Sequence, residues 1–196
     1  MYVYPNDVNT YENELQFFFG PSLLVSPVTE ENVTSVEFYL PNDIWYDFTT
    51  GEKVQGRGEL VARDDVDYTS IPVHVRGGSI IPMRVDGANN TKLLRELDFE
   101  LLIAPNADGD ARGILYLDDG ESIKPNATSE IGFAYFGANG TLTVDGTFGY
   151  RTQSKIASVI VLGSGGSDFA ASSVSRVGKV STLGRALTEA FTVSVG

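Results

Sequence analysis

Few residues in this 196-residue chain have side chains that could carry out a reaction, and their spacing limits what they can do. The only histidine, His74, lies in "IPVHVRGGSIIPMR", residues 71–84. A serine–histidine–aspartate relay would need that imidazole beside an activated serine, and no G-x-S-x-G elbow occurs. Read as a strand, the stretch puts Ile71, Val73 and Val75 on one face and Pro72, His74 and Arg76 on the other. His74 is then expected to be a partly exposed strand histidine, and Gly77-Gly78 a structural hairpin turn. One histidine and no cysteine make a metal site depend on a carboxylate cage, and no EF-hand spacing is present.

The stretch "LYLDDGES" gathers Asp118, Asp119 and Glu121 into one turn. Glycosidases work with two carboxyl groups held roughly 5–10 Å apart across a cleft. Adjacent strand residues point to opposite faces, which does not suit that geometry. The expectation is a hairpin turn at Asp119-Gly120 with a solvated acidic edge. A weak calcium site is the second reading, and an independent hydrolase using Asp118, Asp119 or Glu121 the third. The glycine clusters "RGGS" and "GSGGS" lack the helix start and lysine of a phosphate cradle, so they read as turns. Trp45, Tyr46 and Phe48 could stack on a sugar if exposed. In "IWYDF", Trp45 and Asp47 share one face and Tyr46 and Phe48 the other, which favours a core cluster.

The elements that would position these residues are short. "LQFFFGPSLLVSPV" is a dense apolar run, expected to be buried on both faces. "VEFYL" alternates, with Val36, Phe38 and Leu40 on one side. "TTGEK" is a turn signal, and the polar "RVDGANNTK" is a plausible boundary. Then follow "LDFELLIAP", "ARGILYLDDGES", "EIGFAYF", "TLTVDGTFGY" and "KIASVIVLG", short runs separated by Asn, Asp and Gly. That spacing predicts an all-β antiparallel sandwich. The Gly/Ser-rich stretch near 163–184 reads as a long flexible loop or linker.

Composition narrows the partners. The formal net charge is −12, which disfavours nucleic acid and anionic membrane surfaces. No stretch approaches about 18 consecutive apolar residues, so no helical membrane span is expected. The segment "MYVYPNDVNTYENELQ" lacks the basic and apolar regions of a signal peptide. Yet four N-x-T sequons occur, at Asn32, Asn89, Asn126 and Asn139, a hint of a secretory origin.

Taken in order, "QFFFGPSLLVSPV", "VEFYLPNDIWYDFTTGE", "IPVHVRGGSIIP" and "ELLIAP…GILYLDDGES" resemble the C-terminal third of glycoside hydrolase family 31, and most closely its secreted fungal α-glucosidases. The resemblance runs from about Tyr4 to Gly163. It implies two consecutive antiparallel β-sandwich domains, a proximal one over 28–96 and a distal one over 97–196. Residues 1–27 would be a remnant of the last strand of a (β/α)₈ barrel. The family's catalytic aspartates sit on earlier barrel strands with no counterpart here, so no catalytic, cofactor-binding or metal residue is assigned. The parental chemistry would be retaining hydrolysis of terminal α-linked glucose or xylose. The implied partner is the missing N-terminal and barrel portion, with carbohydrate bound only through the complete enzyme. The family resemblance implies an extracellular location. A stand-alone secreted carbohydrate-binding sandwich is the alternative.

Overall fold

A computed structural model describes residues 2–163, 169–171, 174–176 and 178–195. A single 3-10 turn at Val8–Thr10 precedes the strands. In chain order the first strands are β1 (Phe17–Phe19), β2 (Leu23–Val25), β3 (Val36–Leu40), β4 (Ile44–Asp47), β5 (Lys53–Gln55), β6 (Glu59–Arg63) and β7 (Val73–Arg76). Five of them form an antiparallel sheet in the order β1-β2-β7-β4-β5, while β3 and β6 pair separately. The alternation in "VEFYL" turns Phe38 and Leu40 inward. They meet Leu24 and Trp45 in a core cluster, so the β3–β6 pair covers one face of the five-stranded sheet. This is the first sandwich.

The second begins at β8 (Ser79–Arg84), followed by the short helix α1 (Thr91–Glu96) and β9 (Phe99–Ala104). Then come β10 (Ala111–Leu117), β11 (Ser129–Phe136), β12 (Thr141–Phe148) and β13 (Lys155–Leu162). After β14 (Phe169–Ala171) and β15 (Val174–Arg176), which pair only with each other, β16 (Gly178–Ala186) and β17 (Phe191–Ser194) complete the chain. Eight of these strands form one sheet, ordered β16-β13-β9-β8-β10-β11-β12-β17. Most neighbours are antiparallel, but β9–β13 and β8–β10 run parallel. The sheet folds over so that its two outer strands approach, with the Ser181 hydroxyl donating to the Val195 carbonyl at 3.5 Å. Ile103, Ile131, Phe133, Leu142 and Val159 lie in the core it encloses.

The two sandwiches share a wall. Ile44, Tyr46 and Val75 on the second face of the first sheet pack against Leu102, Ala104, Ile160 and Leu162 of β9 and β13. That contact explains why "LLIA" (101–104) and "VIVL" (159–162) are continuous apolar runs: both faces of these strands are covered.

Several placements differ from the sequence reading. Residues 17–25, expected as a barrel end, are the edge of the first sheet, because β2 pairs with β7 (Leu24 opposite His74). The chain passes between the sheets at Gly77-Gly78 rather than near residue 96. β7 and β8 are therefore not a hairpin: each finds its partners in a different sheet. Part of the stretch near 163–184 lies outside the described residues, and residues 178–184 are in β16, held by pairing with β13.

Candidate functional site

His74 sits on the central strand of the first sheet and is only 4% exposed, because the β3–β6 pair covers its face. The expectation of partial exposure thus fails. Its ring lies 5.0 Å from that of Phe38, and its Nδ1 has no hydrogen-bond partner among the described residues. Burial lowers its pKa below the usual histidine value; Asp47 raises it and Arg63 lowers it further. Asp47 is directly opposite on β4. Its Oδ1 accepts from the backbone N–H groups of Thr49 and Thr50, both at 2.8 Å, and its Oδ2 from Arg63 at 2.6 Å. Burial alone would raise the Asp47 pKa, but the Thr50 N–H and the Arg63 guanidinium outweigh it and hold the carboxylate ionised. Both its oxygens are therefore engaged in closing the β4–β5 turn and tying down β6. The pair is structural in form.

A second polar cluster was not visible in the sequence. Asp43, in the turn before β4, accepts from the Tyr4 hydroxyl at 2.8 Å and from Arg76 Nε at 3.0 Å. The Arg76 guanidinium also stands 5.1 Å over the Tyr4 ring. Burial and the Asp43 carboxylate push the Tyr4 hydroxyl far above its ordinary pKa, so it stays a donor. The three residues are 33 or more positions apart at each Asp43 contact, and no local spacing announces them. Asp43 and Arg76 border a polar hollow of about 510 Å³ that reaches Asn106, Asp108 and Arg112 beside the Gly77-Gly78 turn.

That turn is tight for a stated reason. Gly78 has φ +87°, and a Cβ on Gly77 would lie 2.9 Å from the Ile44 carbonyl oxygen. A side chain fits neither position comfortably.

Asp118, Asp119 and Glu121 lie in the long β10–β11 connection. This is not a tight hairpin, since Leu117 pairs with Ser129 across eleven intervening residues. Gly120 has φ +63°, so the Asp119-Gly120 turn exists within a longer loop. Asp119 accepts from the Glu121 and Ser122 N–H groups and from the Ser122 hydroxyl. The Ser122 hydroxyl and these N–H groups hold its pKa at about 2. Asp118 accepts from the Gly120 N–H, and Glu121 from Arg95. These carboxylates organise their own loop instead of facing one another across a cleft. Among the described residues no group of three or more His, Cys, Asp or Glu could hold a metal ion.

Trp45 and Tyr46 are 0% and 2% exposed, so they are core residues and offer no sugar platform. The Trp45 indole donates to the Pro41 carbonyl, and the Tyr46 hydroxyl to that of Pro105. What the surface does offer is apolar. Phe17 and Phe19 on β1 are 54% and 71% exposed, as is Ile114 at 67%. Phe19, Leu23, Ile81, Pro82 and Ile114 line a groove of about 960 Å³ between the sheets. Sequon residues Asn32, Asn89, Asn126 and Asn139 are all exposed and outside the strands.

Residues 1–81 match the family model for the glycosyl hydrolase family 31 C-terminal domain. The chain is 54% identical over 162 residues to a probable alpha/beta-glucosidase of Aspergillus fumigatus, covering 83% of this chain and 18% of that relative. It thus spans about a fifth of the length of the curated relatives it matches. Its fold matches the glucosidase II alpha subunit at 27% identity and TM-score 0.66, covering 78% of this chain and 18% of that one. A heterodimeric ER glucosidase II complex, of catalytic subunit and binding domain of the regulatory subunit, shares the fold. There the TM-score is 0.75 at 23% identity, over 94% of this chain and 24% of that one. No helix among the described residues is long and apolar enough to cross a membrane.

Proposed function

We propose that this chain is the non-catalytic C-terminal portion of an α-glucosidase-type enzyme and acts as structural support for a (β/α)₈ catalytic barrel. The complete enzyme would cleave terminal α-linked glucose or xylose with retention, and would be secreted. The observation that carries the reading is the contrast between polar and apolar groups. Asp47, Asp119 and Arg63 are engaged in holding turns and strands, whereas Phe17, Phe19 and the groove beside β1 have no cover. A supporting domain needs an apolar face of that kind, because buried apolar area contributes about 25 cal/mol per Å².

Two measurements test this. The purified chain is expected to hydrolyse neither maltose nor an aryl α-glucoside. Turnover that survives repurification and vanishes in Asp119→Ala would assign chemistry to the acidic loop and overturn the reading. Removing the matching segment from the Aspergillus fumigatus relative is expected to abolish its soluble activity. Full activity in that deletion would exclude a supporting role.

A further inference from the structure

The β3–β6 pair shares no ladder with the five-stranded sheet that it covers. Phe38 and Leu40 of β3 pack into the cluster with Leu24 and Trp45, and the Gln16 side chain bonds to both the N–H and the carbonyl of Tyr39. β6 is tied differently. Among the described residues, Arg63 to Asp47 is the ion pair that joins it to the sheet, and Arg63 is its last residue. His74 stands beside that tie. In the ladder it lies between Leu24 of β2 and Asp47 of β4, with the Phe38 ring 5.0 Å away in the cover. β2 thus faces it with Leu24 and β3 with Phe38, both uncharged. The charges acting on the imidazole are Asp47, from β4, and Arg63, from β6. On β7 itself Arg76 is two positions along and is paired with Asp43. Asp47 Oδ1 is taken by the Thr49 and Thr50 N–H groups, so Oδ2 is the oxygen that a second cation would contest with Arg63.

We propose that His74 is an acid-sensitive latch: on gaining a proton the imidazolium draws Asp47 Oδ2 away from Arg63, and the end of β6 is released from the first sheet. The direction of the exchange follows from burial. The Arg63 side chain is 38% exposed and can turn into water, whereas His74 is 4% exposed and Asp47 is the anion beside it. A buried imidazolium without a counter-ion is costly, so the carboxylate goes to the cation that cannot leave. Burial also sets the range. The ring takes its proton only below the ordinary histidine value, so the latch is closed at neutral pH and opens in acid. The inference goes beyond the supporting role and does not rest on it.

The test is NMR on the full chain, where His74 gives the only imidazole signal. Hydrogen exchange of the β6 amides, taken relative to β9 in the same sample, is expected to rise through the His74 titration. In His74→Gln, which takes up no proton, that ratio should stay flat with pH. Arg63→Met removes the competing cation, so the His74 midpoint should rise by roughly half a pH unit or more, while Arg63→Lys should hold it near the parent value. If His74→Gln does not fold, the two variants at the half-exposed Arg63 decide. A β6 exchange ratio that ignores the His74 titration overturns the proposal, as does a midpoint that Arg63→Met leaves unchanged.

Discussion

His74 and Asp47 face each other across β7 and β4, and both have lowered pKa values, so each makes stability fall as pH falls, in a different window. Burial lowers the His74 pKa, so below about 6.5 the unfolded chain binds a proton that the folded chain refuses. Stability should fall as pH drops from 7 towards 5, by at most about 1.4 kcal/mol per pH unit from this one group. Asp47 contributes in a lower window, because its depressed pKa means its stabilisation is lost only as the carboxylate protonates. Thermal melts from pH 7 to 5 should show a shallower slope in His74→Leu than in the parent; identical slopes would remove His74 as the cause. At Gly78 the constraint is backbone geometry. With φ at +87°, Gly78→Val should cost about 1–3 kcal/mol and lower the melting temperature without touching any chemistry. An unchanged melting temperature would mean that the turn relaxes. The glycine pair was legible as a turn, since few other residues accept positive φ. The burial of His74 was not, because it depends on a layer formed by β3 and β6, which the local pattern around residue 74 does not encode.

Alternation along single strands was read correctly wherever two layers meet. Trp45 and Tyr46 point to opposite faces of β4, one into the cluster with Leu24 and the other against β9 and β13. Strand partners were harder, because pairing joins residues distant in sequence. β7 and β8 look like a hairpin in one dimension, yet the turn between them switches sheets. The same limit applies to β1 and β2, whose apolar run fits a barrel strand as well as a sheet edge. Their pairing with β7 leads to a pair of expectations. Leu24 is 1% exposed, so Leu24→Ala should destabilise the fold by about 2–5 kcal/mol. Phe17 and Phe19 are exposed on an edge strand, a surface that favours association. The double variant Phe17→Ser/Phe19→Ser should keep its melting temperature while self-association drops in size-exclusion chromatography with light scattering. A lower melting temperature with unchanged association would place these rings in a core.

At the scale of the whole molecule, two sandwiches could unfold separately or as one body. The shared wall argues for one. Ile44, Tyr46 and Val75 pack on that face against Leu102, Ala104, Ile160 and Leu162, with Ile81 and Met83 of β8 packed against the same cluster. The Tyr46 hydroxyl also donates to the Pro105 carbonyl at 2.9 Å, a bond from the first sheet to the end of β9. The crossing is short, because Gly77 and Gly78 alone separate β7 from β8. The Gly77 N–H donates to the Ile44 carbonyl and the Gly78 N–H to that of Ala104, so these two residues are bonded to both sheets. Separating the sandwiches would expose the apolar wall and break these bonds together. Calorimetry should therefore give a single transition whose calorimetric and van't Hoff enthalpies agree. Tyr46→Ala, which leaves a large void in the wall, should shift that whole transition downward, at a cost of several kcal/mol by analogy with other buried aromatic truncations at about 3–5 kcal/mol. Tyr46→Phe, which loses only the hydroxyl, should shift it by about 1 kcal/mol. Two resolved transitions, with only one of them moved by Tyr46→Ala, would show that the wall couples nothing and that each sandwich folds alone.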